Sequence, residues 1–133
     1  TPNASSSSFN KPTLNKTLKV IFFYDILKEN YKKVKIKIYP INFFFKKYNL
    51  KKIDILKIDT EGFEKDVLGG ISKKNFKKIK LIVIEKQLDK NLYKNYSFAP
   101  IEKILLRNNF VLIKKFKDPI WNYEDHVYKN KTY

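Results

Sequence analysis

Along the chain, apolar positions fall into short blocks separated by lysine-rich polar stretches, and most blocks have a readable period. Val34, Ile36 and Ile38 alternate with lysines in KVKIKIY (33–39), which predicts a half-exposed strand ended by Pro40. Asn42 is placed to cap a short helix running through Leu50. Ile53–Asp59 predicts a buried strand at the centre of a sheet. Glu61–Gly69 follows as a helix with Phe63, Val67 and Leu68 inward, stopped by Gly69 and Gly70. IKLIVIE (Ile79–Glu85) is the most hydrophobic block and predicts a strand covered on both faces. A helix over Pro100–Asn109 opens with proline in its first turn and turns Ile101, Ile104 and Leu105 inward. Strands at Phe110–Phe116 and Asp125–Asn130 close the pattern. Residues 17–31 (TLKVIFFYDILKENY) fit a strand or a helix, and their period does not decide. Residues 1–16 are small, polar and proline-bearing, which predicts a flexible segment ahead of one domain at 17–133.

After residue 50 the order is therefore β-α-β-α-β-β. Helices of about 10 residues between strands imply parallel pairing with right-handed crossovers. The closing β-β pair implies one antiparallel strand at the edge. The expected fold is α/β, the C-terminal half of a doubly wound, mostly parallel Rossmann-like sheet whose first half is not evident.

Composition narrows the function classes. A length of 133 residues with 43% hydrophobic content suits one domain with a real core. No apolar run approaches the roughly 18 residues of a membrane span. The absence of cysteine removes disulfides and thiolate metal sites and fits a cytoplasmic protein; no metal site is assigned. A chain that starts at Thr1 and holds no methionine is expected to be processed or to be part of something longer. The net charge of +16 invites a nucleic-acid reading. Two features weaken it. Arg107 is the one arginine, whereas base and phosphate recognition leans on the guanidinium fork. Lys, Asn, Ile, Phe and Tyr, all with A/T-rich codons, make up more than half the chain, so genome composition accounts for the lysines.

The chemistry concentrates where Ile53–Asp59 ends. All three glycines, Gly62, Gly69 and Gly70, lie within nine residues there. Lys57 shares a strand face with Asp59, and Glu85 ends the neighbouring strand. Lys57 either snorkels beside a structural acid or holds the charge of a working one. Asp59 and Glu61 flank Thr60 at a strand's carboxyl end, where loops of open α/β sheets bind ligands. Two such close carboxylates raise one proton affinity unless a cation offsets them, which suits removal of a proton from a hydroxyl. The competing reading is capping of the next helix by Asp59 or Thr60. Gly62 suits a positive φ or close ligand approach, and Gly69–Gly70 a helix stop. His126 reads as structural, and Trp121 as a core or edge-packing residue.

IDILKIDTEGFEKDVLGG (Ile53–Gly70) resembles the K-I-D-x-E-G-x-E-x-x-x-L-x-G signature of FkbM-type methyltransferases, which use S-adenosylmethionine. LIVIEK, IEKILLRNNFVLI and EDHVYKNK are similar to the family's following strand, its helix-turn-strand and its closing strand. Upstream, PNASSSSF and KVKIKIYPINFFFKKYNL resemble its Asn/Ser-rich segment and its preceding strand and helix. The sequence departs from the family at Ala4 and Asn42, where a glycine and an acid are common. No glycine precedes Gly62, so the family's glycine-rich cofactor loop has no counterpart and no cofactor-binding residue is assigned.

The resemblance implies part of an O-methyltransferase acting on a hydroxyl of a sugar or small metabolite, with in-line displacement at the sulfonium methyl. Asp59 would be the base or acceptor-orienting acid, with Lys57 holding its charge. Glu61 would assist or cap, and Glu85 and Gly62 would line the acceptor side. Such a chain alone is expected to have little or no activity. Two rivals stay open: a non-enzymatic basic module, with lysines gathered on one face, and a half-domain whose sheet edge takes a partner chain.

Overall fold

The structure, a computed structural model, describes residues 35–89 and 96–133. The readings of 1–16 and 17–31 lie outside the described residues. Four strands form one sheet: β1 (Ile53–Ile58), β2 (Ile79–Gln87), β3 (Phe110–Lys117) and β4 (Tyr123–Asn130). The helices are α1 (Ile41–Lys47), α2 (Glu64–Gly69), α3 (Lys73–Phe76) and α4 (Ala99–Arg107). The order across the sheet is β1-β2-β4-β3. β1 pairs parallel with β2, while β4 is antiparallel to both β2 and β3. No helix among the described residues is long and apolar enough to cross a membrane.

Three of the four strands thus run the same way, and the α/β character expected from the pattern holds. Three placements differ. The antiparallel strand does not lie at the edge: β4 is inserted between β2 and β3, because a tight β3–β4 connection reverses the chain back into the sheet. β1 flanks the described sheet instead of occupying its centre, and Ile55 is 62% exposed, since no described strand pairs with its outer edge. The strand expected at 33–39 is also absent from its described part. Lys35–Tyr39 is irregular, with Ile36 and Ile38 exposed, because alternation makes a strand only where a ladder partner exists.

The rows across the sheet explain which side is sealed. Ile58, Ile84 and His126 stand in register, as do Ile82 and Tyr128, and all five are buried. Leu68 of α2 and Ile101 and Leu105 of α4 join them in the core, and α2 packs against α4. Each fully buried Ile or Leu contributes roughly 1.5–3 kcal/mol. The opposite face carries Lys57, Val83 and Val127 in one row and Ile55, Leu81 and Lys129 in another, none of them buried. One face therefore holds the fold, and the other stands more open.

Asn130 fastens the amino end of β2. Its Nδ2 donates to the carbonyls of Phe76 (3.2 Å) and Ile79 (3.0 Å). Its Oδ1 accepts from the backbone N–H (3.1 Å) and the hydroxyl (2.9 Å) of Thr132. Asn42 has a comparable task in place of the expected cap. Pro40 precedes α1 without any side-chain cap, and the Asn42 Oδ1 accepts from Ser72 N (3.0 Å) and Asn75 Nδ2 (2.8 Å), tying α1 to α3. Gly70 does not end α2 through a left-handed turn, since its φ is −77°. Its lack of a side chain matters for packing: a Cβ there would stand 3.3 Å from Pro40 Cβ, whereas one on Gly69 would meet nothing within 4 Å.

Three outcomes follow for urea melts. Gly69→Ala is expected to stabilise by about 0.5–1 kcal/mol, with Gly70→Ala failing to match it. Asn130→Ala, which strands two buried carbonyls, is expected to cost about 2–4 kcal/mol. Lys52→Ala, which removes an exposed ion pair to Asp54, should change stability by less than about 1 kcal/mol.

Candidate functional site

The strand register assembles an acidic row from distant parts of the chain. Ile58 pairs with Ile84, so the next step along both strands sets Asp59 beside Glu85. Glu85 pairs directly with Asp125. With strands about 4.8 Å apart, three carboxylates line the carboxyl end of β1 and β2 on the more open face. Lys57 occupies that same face. Its ammonium forms an ion pair with Asp125, spanning the intervening strand β2, and lies 3.8 Å from Asp59 Oδ2. Lys57 and Asp59 are each 43% exposed, so these pairs add little stability; they arrange charge.

Glu85 is the buried member of the row, only 9% exposed. Its pKa is raised to about 7, first by burial and then by the negative charges of Asp59, Glu61 and Asp125, with Lys57 opposing. Burial disfavours the charged form, and each neighbouring carboxylate adds to the same effect. Tyr96 lies near the same place. Its hydroxyl oxygen accepts from the Gln87 N–H at 3.1 Å, and its pKa is pushed up to about 12, chiefly by burial, with Glu64 and Glu85 contributing.

Between Asp59 and α2 the chain turns a sharp corner. Glu61 has φ 52° and Gly62 φ 97°, so the helix expected from Glu61 begins only at Glu64: neither residue has a right-handed helical backbone. Gly62 takes the positive φ that its position suggested. Glu64 turns back into the corner, its Oε1 accepting from Thr60 N (3.1 Å), Thr60 Oγ1 (3.1 Å) and Gly62 N (3.0 Å). The capping reading of Asp59 and Thr60 fails, since α2 has no side-chain cap. Two of the corner's amide donors, those of Thr60 and Gly62, are engaged by Glu64.

Lys57, Asp59, Glu61 and Glu85 are therefore brought together, with Gly62 in the adjoining turn. Asp125 and Glu64 were missed. Asp125 becomes visible only once β4 is known to lie against β2. Glu64 is the second glutamate of the E-G-x-E motif, and that position was the signal for it. The bland reading of Lys57 holds in part, for it is a strand lysine paired with acids, though its nearer partner is Asp125.

His126 fits its structural reading. It is buried, its Nε2 lies 2.9 Å from Glu124 Oε2, and its ring meets Phe98 edge-on. That bond holds the Glu124 carboxyl below its usual range. Trp121 departs from expectation: it is 60% exposed instead of packed in the core or against an edge. Asp118 Oδ1 accepts from the amides of Ile120 (2.8 Å) and Trp121 (2.6 Å), turning this loop outward. Among the described residues no group of three or more His, Asp or Glu is arranged to hold a metal ion.

A family model described as the methyltransferase FkbM domain matches residues 1–112. No curated protein and no solved structure matches the chain. The matched span takes in β1, the corner, β2 and α4, and stops short of β4 with Asp125. With the larger part of its length matched by that model, the chain belongs to the FkbM methyltransferase family.

Proposed function

We infer that this chain carries the acceptor side of an O-methyltransferase site, which takes a hydroxyl of a sugar or small metabolite as its substrate. The observation that supports this reading is Glu85, a buried carboxyl whose proton affinity lies near neutrality among three other acids. A general base works best when its pKa is close to the operating pH, and Glu85 has that property. Glu85 takes the hydroxyl proton. Asp59 and Glu61 keep its affinity for that proton high and orient the acceptor. Lys57 offsets part of the charge so that the row stays folded at neutral pH. Gly62 lets the acceptor approach the corner closely. The absence of cysteine fits a cytoplasmic setting.

S-adenosylmethionine is the donor that family membership suggests, and it would supply the electrophilic methyl group. The described residues do not offer it a cradle. No glycine precedes Gly62, and two amides of the β1–α2 corner, those of Thr60 and Gly62, are taken by Glu64. No residue of this chain is therefore assigned to the donor. Against the rival of a basic binding module, lysines lie on both sides of the sheet, Lys57 and Lys129 on its open face and Lys65 and Lys103 on the helices α2 and α4 that cover the other.

The test is methyl transfer by the gene product that carries these 133 residues, with a panel of hydroxyl acceptors and labelled donor. Glu85→Gln is expected to lower kcat by about 10²–10⁴-fold. The acid limb of the native pH–rate profile should lie near pH 7. In Asp59→Asn it should move to lower pH, because the largest neighbouring charge that raises Glu85 is gone. Native turnover in both variants would remove these acids from the mechanism. A separate outcome concerns stability. An acid whose folded pKa is raised stabilises fully below the ordinary carboxylate range, and that contribution is lost as pH rises through about 7. Urea melts should therefore show Glu85→Gln gaining on the native chain between pH 5 and pH 8.

A further inference from the structure

Glu64 is only 2% exposed, although it is a carboxylate at the first position of a six-residue helix. A charged group taken out of water is costly unless donors surround it. Here the three donors all converge on Oε1, while Oε2 is buried without a hydrogen-bond partner in the structure. The direction of these bonds is informative. A capping-box glutamate sits in the third helical position and reaches back only to the N-cap amide, but Glu64, in the first position, reaches past the N-cap Phe63 to residues 60 and 62. Those two residues bracket Glu61, whose left-handed backbone is uncommon for a residue with a side chain. Thr60 also adjoins Asp59. One buried oxygen thus fastens both sides of the segment that carries two acids of the row.

We propose that Glu64 is the positioning residue of this site: its carboxylate ties Thr60 and Gly62 into a rigid corner and so fixes where Asp59 and Glu61 stand relative to Glu85. The proposal rests on reading the acidic row as the functional site, yet its geometry is testable without any turnover. The charges acting on Glu85 are those of Asp59, Glu61, Lys57 and Asp125. A shift at Glu85 on replacing Glu64 therefore reports moved neighbours, not the loss of Glu64's own charge. A contribution to folding alone would lower stability and leave that titration where it was.

The experiment is a carboxyl-carbon NMR titration of Glu85, paired with amide hydrogen exchange at Thr60 and Gly62, on the 133-residue chain. In Glu64→Ala the two amides are expected to exchange at least about tenfold faster, and the Glu85 midpoint to fall by about one pH unit. Glu64→Gln, equal in length and still an acceptor, should restore most of the protection and the midpoint near 7. If the alanine variant does not fold, Glu64→Asp keeps the charge but withdraws the oxygens by one methylene, and the same loss of protection and fall in midpoint are expected. A folded alanine or aspartate variant with a native Glu85 midpoint would overturn the proposal, whether or not exchange at Thr60 and Gly62 has changed. Methyl-transfer assays report separately: a native protein without transferase activity counts against the function inferred above and leaves the titration result standing.

Discussion

The register of β1 against β2, and of β2 against β4, is the constraint from which the rest of this structure follows. Side chains alternate along a strand, so one choice of register assigns every residue to the sealed face or to the open one. Ile58, Ile84 and His126 fall on the sealed face, and Lys57, Val83 and Val127 on the other. A slip of one residue in β1 would press Lys57 toward the helices and put Ile58 in water. The hydrophobic core and the acidic row are thus fixed by a single choice, and the chain cannot keep one while losing the other.

Within that frame the protein treats two buried carboxylates in opposite ways. Glu64 is given donors, three of them on one oxygen, and they hold the corner together. Glu85 is given neighbours of its own sign, and its affinity for a proton rises to near neutrality. The first arrangement builds rigidity, the second reactivity. They lie on adjoining elements, because the corner that Glu64 organises leads straight out of the strand beside Glu85. Under the function inferred above, this adjacency sets a turn bearing two acids beside a group that can take up a proton.

Much of the architecture was legible before any coordinates. The blocks at Ile79–Glu85, Pro100–Asn109 and Phe110–Phe116 carry enough apolar periodicity to define themselves, and their observed bounds differ by only one or two residues. The acids at Asp59, Glu61 and Glu85 were found from strand ends alone. What escaped was whatever depends on contacts between distant segments. KVKIKIY alternates correctly, yet its described residues have no ladder partner, and alternation cannot supply one. The rank of β1 in the sheet and the insertion of β4 are questions of strand order, which local pattern does not encode. Asp125 was hidden for the same reason. The short helix α3, begun by Ser72 accepting from Asn75 N at 3.4 Å, is too brief for a period to show.

β3 contains an irregularity whose consequence reaches across the sheet. Between Leu112 and Lys114 the pairing with β4 shifts by one residue, leaving Ile113 extra. Upstream of it, Phe110 and Leu112 face the core alongside Asn130 and Tyr128. Past it the alternation is inverted, so Phe116 pairs with Asp125 and joins the side that bears the carboxylates. Were the ladder regular through Ile113, Phe116 would stand opposite Glu124 and face α4's side of the sheet, and Lys115 would take its place opposite Asp125. An inserted backbone unit, silent in composition and charge, thereby gives the row an aromatic flank.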